Sequence, residues 1–332
     1  MVYLKNLLVT GGAGYVGAVL VPKLLYNAYN VRVLDNFLFD EKALELIEGH
    51  PNLEVVNGDL RDEKTVKESL KDIDCVIHLA SISNYPCCDL KPEITKEVNY
   101  DAVVQLVDLS KKAKVKRFIN ASSSSVYGIK EEENVTEDLP LEPITYYAKY
   151  KAETEKVIKD ATTSEFETVS VRPATVCGYS PCMRLDLSVN IMTNLAVNKG
   201  VMTVFGGEQR RPNIHIQDMT DLYLVMLNAP KKLINGEIFN ANCRNMKMID
   251  IANTVKSIVG EHVKIEVTPT DDNRSYFTSS EKLIKTLNWQ YRFTVEDAIR
   301  DMKRAFDNGL IPNPLDDLKY YHVKMMLKKG VK

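Results

Sequence analysis

The chain has 332 residues, of which 45% are hydrophobic and 27% charged, and its formal net charge is −2. That length suits two domains or one large α/β unit, and the lack of a basic excess argues against nucleic-acid or membrane-surface binding. The six cysteines have neither regular nor zinc-type spacing, which predicts reduced thiols in the cytoplasm and no metal site. The sequence enters a predicted strand at once and has no apolar run near ~20 residues, so we expect neither a leader nor a membrane span.

The first predicted strand ends in a turn that is dense in glycine. Residues 7–9 are apolar, and Gly11, Gly14 and Gly17 follow before an apolar helical segment at 16–25. Glycine allows a sharp turn close to a pyrophosphate, which then meets the N–H groups of the helix N-terminus. The spacing is one residue longer than the usual dinucleotide fingerprint, so two interpretations stay open: a phosphate cradle, or glycines needed only for shape.

The second predicted strand, residues 31–34, ends in Asp35 and Asn36, and Asp35 follows Gly17 by 18 residues. A carboxylate near this spacing can accept the ribose hydroxyls of an adenosine and would repel a 2′-phosphate. The alternative is a loop residue or a helix cap. This position favours a cofactor site and predicts NAD rather than NADP.

Predicted strands and helices alternate through the first half. Further strands are expected at residues 53–56, 75–80, 117–120 and 168–171, and helices at 41–48, 63–70, 94–113 and from residue 146. This alternation predicts an α/β fold with a Rossmann-type, doubly wound parallel sheet.

The regular alternation ends after the strand at 168–171. A helix at 189–198 and short strands predict a smaller C-terminal α/β substrate domain, while 214–228 and 237–240 return to the sheet. We therefore predict an NAD-binding domain of residues 1–175 plus 214–244 and a substrate domain of 176–213 plus 245–332. The basic residues 324–332 are expected to form a solvated tail.

Tyr147 and Lys151 are four residues apart in a helical segment and so share one face. A phenol is a poor base near neutral pH, but a neighbouring ammonium and the positive nicotinamide ring favour the phenolate. A hydroxyl from residues 122–125, at the carboxyl end of a parallel strand, completes a possible hydrogen-bonding triad on a substrate alcohol. The alternative is an ordinary surface pair; the glycine turn, Asp35 and the serine loop favour a catalytic one.

Several further motifs accompany these residues. They are Gly58-Asp59-Leu60-Arg61-Asp62, His78-Leu79-Ala80, Asn99, residues 123–128, Arg172-Pro173 and Arg211-x-x-x-His215-x-x-Asp218. With the glycine turn and Tyr147-x-x-x-Lys151, they resemble the extended short-chain dehydrogenases/reductases that modify nucleotide sugars. In the second half, residues 179–190 and 272–276 resemble the epimerase/dehydratase branch that includes a GDP-heptose 4-dehydrogenase.

The resemblance implies particular site residues. Ser123 is the implied catalytic hydroxyl, acting with Tyr147 and Lys151. The implied NAD contacts are Gly11, Gly14, Tyr15, Val16, Gly17, Asp35, Asn36, Asp59, Leu60, Ala80, Ser81, Asn99, Tyr147, Lys151 and Ala174. The implied substrate contacts are Ser83, Ser123, Asn190, Arg211 and Arg274, with Arg184 as an addition for which a surface ion pair is the alternative. Arginine suits a diphosphate because its planar fork grips two oxygens at once.

The resemblance also narrows the reaction. Such enzymes oxidise a sugar hydroxyl, commonly at C4, by hydride transfer to NAD. A 4,6-dehydratase of this type has Asp-Glu directly after its catalytic hydroxyl, where this chain has Ser124 and Ser125, so dehydration is disfavoured. The main prediction is a nucleotide-sugar 4-epimerase, and the alternative is a 4-dehydrogenase of the GDP-heptose type.

Two further expectations concern assembly and class. A non-catalytic NAD-binding regulatory protein is a third possibility, but such a protein would lack one of Ser123, Tyr147 and Lys151, and all three are present. In related proteins, the helices equivalent to those from about residues 94 and 146 form a four-helix interface, so the resemblance implies a homodimer. The expected partner is a nucleotide-diphosphate sugar.

Overall fold

The computed structural model describes residues 4–83, 85–270, 275 and 277–330. Its central sheet has seven strands in the order β3-β2-β1-β4-β5-β6-β10, and every neighbouring pair is parallel. These strands are β1 (Asn6–Thr10), β2 (Asn30–Asp35), β3 (Leu53–Asn57), β4 (Cys75–His78), β5 (Arg117–Ala121), β6 (Glu167–Pro173) and β10 (Glu237–Ala241). The predicted doubly wound parallel sheet is confirmed, and so is the return of residues 237–240 to it. The predicted return of residues 214–228 is wrong, because residues 214 and 215 end a strand of a smaller sheet and Ile216–Asn228 is a helix.

Both faces of the sheet are buried at its central strands, such as β1 and β4, which explains why these are rich in apolar residues, whereas the edge strand β3 is partly exposed. Side chains alternate between the faces, so that Leu7 and Val9 belong to one core cluster and Leu8 to the other. Helices α1 (Gly17–Tyr26) and α8 (Ile216–Asn228) pack together in the first cluster. Helices α2 (Glu63–Ser69), α5 (Ala102–Lys112) and α6 (Tyr146–Asp160) cover the second.

Two helix predictions in the first half are wrong in detail. Residues 41–48 form turns and a single 3₁₀ segment, Glu45–Ile47, because only Ala43 and Leu44 there are buried and too few apolar side chains support a longer helix. The predicted helix at 94–113 is interrupted. Helix α4 (Pro92–Lys96) leads into a π-helical turn, Glu97–Asp101, before α5 begins. That turn directs the Asn99 amide to backbone groups of Ile82.

The second half adds two small sheets. One consists of β7 (Thr175–Cys177), β9 (Arg210–His215) and β11 (Arg244–Lys247), and the other of β8 (Val201–Phe205) and β12 (Lys264–Thr268). A separate apolar cluster joins them to α7 (Ser188–Lys199), α10 (Met248–Val259) and α12 (Val295–Asp307). The boundaries at 175, 213 and 244 stay a prediction.

The remaining helices are short. They are α3 (Tyr85–Leu90), α9 (Lys231–Ile234), α11 (Glu281–Leu287) and α13 (His322–Lys329). The expectation of a solvated tail at 324–332 is wrong in part, because residues 324–329 belong to α13, which buries Met326, while the lysines of this helix stay exposed. Among the described residues, no helix has both the length and the apolar character required to cross a membrane.

Candidate active site

A cavity of about 600 Å³ lies at the carboxyl-terminal edge of the central sheet. Parallel strands end there, and the strand order reverses between β1 and β4, which is where open α/β sheets bind ligands. Most of the predicted site residues line this cavity. They are Gly11, Gly14, Tyr15, Val16, Gly17, Asp35, Asn36, Asp59, Leu60, Ala80, Ser81, Ser83, Ser123, Tyr147, Lys151, Ala174, Arg184 and Arg211.

The turn between β1 and α1 requires glycine for space. Gly11 has φ of +73°, and a Cβ there would lie 2.6 Å from the backbone nitrogen of Ala80. A Cβ on Gly17 would lie 2.5 Å from the carbonyl oxygens of Gly11 and Gly12. Gly11, Gly14 and Gly17 also line the cavity at the N-terminus of α1, and there the backbone of the turn fits the pyrophosphate of a dinucleotide.

Asp35 lies at the end of β2 and holds the glycine turn. One carboxylate oxygen accepts a hydrogen bond from the Ala13 N–H at 2.9 Å, and the other accepts from the Phe37 N–H at 2.8 Å. Burial raises the pKa of Asp35, and these N–H groups oppose the rise. Each oxygen keeps a second lone pair, so the carboxylate can still accept a ribose hydroxyl.

Asp59 and Leu60 line the same end of the cavity, after β3. The Arg61 guanidinium binds Asp59 at 2.8 Å and Glu97 at 2.8 Å, which connects this loop to the π-helical turn. The hydrogen bonds from Arg61 hold the pKa of Asp59 below its usual value.

Tyr147 and Lys151 reach the cavity from the first turns of α6. Thr145 fixes the start of this helix, since its hydroxyl accepts a hydrogen bond from the Ala148 N–H at 3.1 Å. The Lys151 Nζ donates to the Ala121 carbonyl oxygen at 2.7 Å and lies 5.9 Å from the centre of the Tyr147 ring. Burial lowers the pKa of Lys151 to about 8.

The serine loop follows β5 at the same edge. Ser123 lines the cavity, and its Oγ lies 2.8 Å from the Oγ of Ser125. Ser123 also starts the 3₁₀ turn Ser124–Tyr127, because its hydroxyl accepts from the Ser125 N–H at 3.2 Å. Its oxygen is thus placed by the backbone and not by packing alone.

A buried polar network centred on Glu155 holds this loop through Ser122, and the sequence analysis did not predict it. Glu155, four residues after Lys151, accepts a hydrogen bond from Ser122 and two from Arg172, at 2.9 and 2.7 Å. Arg172 also donates to the Tyr127 hydroxyl at 2.6 Å. The Glu155 carboxylate lies close enough to Lys151 to oppose the fall of that lysine's pKa. A glutamate on the same face as Lys151 was the available signal.

Arg184 is a buried cation. Its guanidinium donates to both carboxylate oxygens of Asp186, at 3.0 and 3.2 Å, and to the Ser83 hydroxyl at 3.0 Å. Burial and the charge of Arg184 act in opposite directions on Asp186, and the arginine prevails, so that the pKa of Asp186 is lowered. The charge of Arg184 also interacts with Tyr147, which places the guanidinium toward the Tyr147 end of the cavity.

Of the other two predicted arginines, the structure describes only Arg211. Arg211 lines the cavity from β9, in the second half of the chain. Arg274 lies outside the described residues, so its predicted contact is not placed.

Two predicted contact residues do not line the cavity. The Asn99 side chain accepts hydrogen bonds from the Ile82 N–H at 2.8 Å and from the Ser81 hydroxyl, and it donates one to the Ile82 carbonyl oxygen at 2.9 Å. Asn190 is fully buried, and its side chain binds Gly178, the Tyr15 hydroxyl and the Arg184 carbonyl oxygen. Both side-chain amides therefore hydrogen-bond to groups of the protein itself, as buried polar groups generally do.

The C-terminal helix contributes a wall residue that the sequence did not suggest. His322 lines the cavity and stacks on Phe39, with ring centroids 3.6 Å apart and an interplanar angle of 6°. No group of three or more His, Cys, Asp or Glu side chains in the described part of the chain has the arrangement of a metal site.

The sequence matches a known family over most of its length. The sequence model described as "NAD dependent epimerase/dehydratase family" matches residues 7–241. The UDP-glucose 4-epimerase of Lactobacillus helveticus is 27% identical over 317 residues, which cover 89% of this chain and 94% of that protein.

Solved structures share the fold. A dTDP-glucose 4,6-dehydratase from Streptomyces venezuelae, solved with NAD, has a TM-score of 0.85 at 22% identity and covers 94% of this chain and 100% of its own. The UDP-glucuronic acid 4-epimerase from Bacillus cereus, solved with UDP-glucuronic acid and NAD, has a TM-score of 0.83 at 24% identity and covers 92% and 99%. At these identities the likeness is one of fold.

Proposed function

Because the chain belongs to the NAD dependent epimerase/dehydratase family, we propose that it interconverts nucleotide sugars that differ in configuration at C4. The relative from Lactobacillus helveticus is named a UDP-glucose 4-epimerase, which supports both the reaction and a UDP-sugar as the first candidate substrate. The observation that carries the proposal is one cavity that joins a glycine cradle, Tyr147 with Lys151, and a serine loop without acidic residues.

The residues of the cavity fit NAD. The backbone of the glycine turn would hold the pyrophosphate, Asp35 would accept the adenosine ribose hydroxyls, and Asp59 and Leu60 would lie beside the adenine. A carboxylate at Asp35 repels a 2′-phosphate, which favours NAD over NADP. The chemistry that NAD supplies when bound is reversible hydride transfer at C4 of the sugar.

Tyr147 acts as the base that removes the proton from the C4 hydroxyl. Its phenolate is stabilised by the nearby Lys151 ammonium, whose position is set by the Ala121 carbonyl oxygen. Ser123 holds the same substrate oxygen by a hydrogen bond, and Ser125 orients the Ser123 hydroxyl. Tyr147 then returns the proton when the 4-keto sugar is reduced on its other face.

The residues of the serine loop disfavour a dehydratase reaction. Ser124 and Ser125 occupy the positions after Ser123, and neither hydroxyl is an acid or base at neutral pH. The carboxylates that line the described cavity are Asp35, Asp40, Asp59 and Asp186. Asp35 and Asp59 lie at the cofactor end, Asp40 binds Lys319, and Asp186 binds Arg184. This arrangement disfavours dehydration of a 4-keto sugar, and in this proposal the ketone is reduced again and not released.

Arg211 and Arg184 serve different parts of the substrate. Arg184 lies toward Tyr147 and is already bound to Asp186 and Ser83, which suits the sugar end. Arg211 enters from β9 and suits the diphosphate, together with Arg274 from the segment outside the described residues.

The protein acts as a cytoplasmic homodimer in this proposal. Val104 on α5 and Tyr146 on α6 are partly exposed large side chains on the two helices expected to form a four-helix interface. Light scattering at micromolar concentration gives twice the monomer mass if this assembly is right, and the monomer mass if it is wrong.

The proposal is tested with a panel of UDP-, GDP-, dTDP- and CDP-hexoses. We expect the C4 epimer of at least one substrate to accumulate to an equilibrium mixture without net reduction of NAD. Accumulation of a keto sugar with stoichiometric NADH would instead establish a 4-dehydrogenase. No turnover of any member by protein that retains NAD would support the non-catalytic alternative.

A further inference from the structure

The loop that carries Ser123 is held at both ends by one buried ion pair, Glu155 with Arg172. Before Ser123, the Ser122 hydroxyl donates a hydrogen bond to the Glu155 carboxylate. After Ser123, the Tyr127 hydroxyl accepts one from Arg172 at 2.6 Å. The two charged side chains bind each other through two hydrogen bonds, at 2.9 and 2.7 Å. The conformation of the loop therefore depends on this pair.

Further contacts fix these two ends of the loop. The Ser122 N–H donates to the carbonyl oxygen of Val171 at 2.8 Å, one residue before Arg172 on β6. The Tyr127 hydroxyl donates to the Asn240 side chain at 2.8 Å, and the Arg172 guanidinium lies 4.9 Å from the centre of the Tyr127 ring. Because the Tyr127 hydroxyl both accepts and donates a hydrogen bond, its position relative to the central sheet is set.

The same glutamate lies one helical turn after Lys151. The Lys151 Nζ donates at 2.7 Å to the carbonyl oxygen of Ala121, the residue before Ser122, so one face of α6 holds neighbouring residues of one loop. Burial lowers the pKa of Lys151 to about 8, and Cys88 and Glu155 oppose the fall. Burial also raises the pKa of the Cys88 thiol to about 12, so this thiol is uncharged at pH 8. The negative charge that supports the ammonium there is that of Glu155.

Among the described residues, the titratable groups that interact with Lys151 lie on three elements. They are Cys88 on α3, His78 on β4, and Tyr147 and Glu155 on α6, and Glu155 in turn faces Arg172 of β6. Burial lowers the pKa of His78 to about 3, so its imidazole is neutral at pH 8. Glu155 is the carboxylate in this set, and its removal should therefore be felt at Lys151.

Glu155 and Arg172 do not touch the reacting groups themselves. Neither lines the cavity, and their side chains are 3% and 4% exposed. Any effect on the reaction must therefore pass through the residues that they hold.

We propose that Glu155 and Arg172 are positioning residues, which hold the Ser123 hydroxyl and the Lys151 ammonium in place for proton transfer at the sugar C4 oxygen. This inference rests on the proposed function, since it assumes the reaction proposed for this cavity. Glu155 supplies a negative charge beside the ammonium, and the ion pair as a whole fixes both ends of the serine loop.

The test is Glu155→Gln, with Glu167→Gln as the matched control. Glu167 binds Arg117 in a second buried ion pair, with side chains 4% and 3% exposed, where β5 and β6 begin. Both variants leave a buried arginine without its carboxylate, so both should lower the thermal midpoint. A purely structural role predicts the same behaviour for the two variants, whereas a positioning role predicts a change in the active site for Glu155→Gln alone.

The charge of Lys151 is measured without any sugar, by nuclear magnetic resonance titration of protein with labelled lysine side chains and with the signal assigned from Lys151→Arg. We expect Glu155→Gln to lower the titration midpoint of Lys151 by about one pH unit, because a nearby negative charge is lost. The alkaline limb of kcat/KM should move down with it. Below this midpoint, kcat should still fall about tenfold or more as Ser123 loses its placement, while KM changes less than about twofold. Glu167→Gln should keep the wild-type midpoint and kcat.

A second variant, Tyr127→Phe, keeps the proposal falsifiable if Glu155→Gln does not fold. It removes the hydroxyl that Arg172 holds but leaves the ion pair, so kcat should fall while the Lys151 midpoint stays at its wild-type value. A wild-type midpoint and kcat in Glu155→Gln, equal changes in Glu155→Gln and Glu167→Gln, or full kcat in Tyr127→Phe would each overturn the proposal. A wild-type protein that epimerises no sugar would contradict the proposed function, whereas the Lys151 titration would still separate the two glutamine variants.

Discussion

The ammonium nitrogen of Lys151 lies 5.9 Å from the centre of the Tyr147 ring, one helical turn along α6. Burial lowers the pKa of Lys151 to about 8, with Cys88 and Glu155 opposing the fall. The charge that supports a Tyr147 phenolate is therefore present below about pH 8 and lost above it.

We accordingly predict that kcat/KM falls above pH 8. Lys151→Arg should move this alkaline limb upward, because a guanidinium stays charged throughout the accessible range. The pH–rate profiles of the two proteins are the measurement. An alkaline limb at the same pH in both would show that another group controls it.

Tyr147→Phe should reduce turnover by about 10²–10⁴-fold, the usual contribution of a positioned base. Ring and packing are kept, so NAD content should not change. Ser123→Ala should cost less, about 10²-fold. Tyr146→Phe, on the same helix but 43% exposed, is the control and should retain activity. Substantial turnover by Tyr147→Phe would place the base elsewhere.

Asp35→Asn should lower the affinity for NAD about tenfold and narrow its preference over NADP. The amide loses the charge that repels a 2′-phosphate, and it cannot accept from both the Ala13 and Phe37 N–H groups. Calorimetry with both cofactors measures the two affinities. Wild-type protein that binds NADP as tightly as NAD would contradict the cofactor assignment.

The fold was largely predictable because its strands are short apolar runs separated by helical segments. The Gly11–Gly17 turn follows from local chemistry, and the parallel direction of the strands follows from the alternation of strands and helices. Residues 41–48 and 94–113 were less predictable, because helical periodicity does not reveal where tertiary contacts are too few or where Asn99 has to reach Ile82.

The site was predictable where a motif carries the chemistry, as at Tyr147 and Lys151. Asn190 belongs to a motif that implies a substrate contact, but its side chain hydrogen-bonds to Tyr15, Gly178 and Arg184 and does not line the cavity. His322 could not be found in sequence, since it lies in a basic C-terminal segment and reaches the cavity only through the packing of α13.

His78 should make stability depend on pH. It is buried beside the Thr10 hydroxyl at 2.8 Å, and burial lowers its pKa to about 3. Below pH ~6.5 the His78 imidazole of the unfolded chain becomes protonated, whereas that of the native protein stays neutral down to about pH 3. The stability contributed by neutral His78 is therefore complete above that pH and lost as pH falls, by up to about 1.4 kcal/mol per pH unit.

Urea unfolding at pH 7.5 and 5.5 measures this effect. The fall in unfolding free energy should be smaller in His78→Gln than in the wild type. His262→Gln, which changes an exposed histidine, should keep the wild-type fall. Equal falls in all three proteins would mean that His78 is protonated in the native state.

Arg211→Met should weaken binding of the nucleoside diphosphate by about 1–3 kcal/mol through loss of charge-assisted hydrogen bonds. Arg210→Met is the control, because Arg210 precedes it on β9 and does not line the cavity. Competition of the diphosphate with substrate gives both constants. The assignment fails if the two variants bind the diphosphate equally well.

The most direct test of 4-epimerisation uses a nucleotide sugar from the active panel that carries deuterium at C4. Nuclear magnetic resonance follows the label in unlabelled water. Oxidation and reduction within one cavity predict that the C4 epimer forms with its deuterium retained at C4. Loss of the label to solvent, or its transfer to released NADH with accumulation of a keto sugar, would contradict the account.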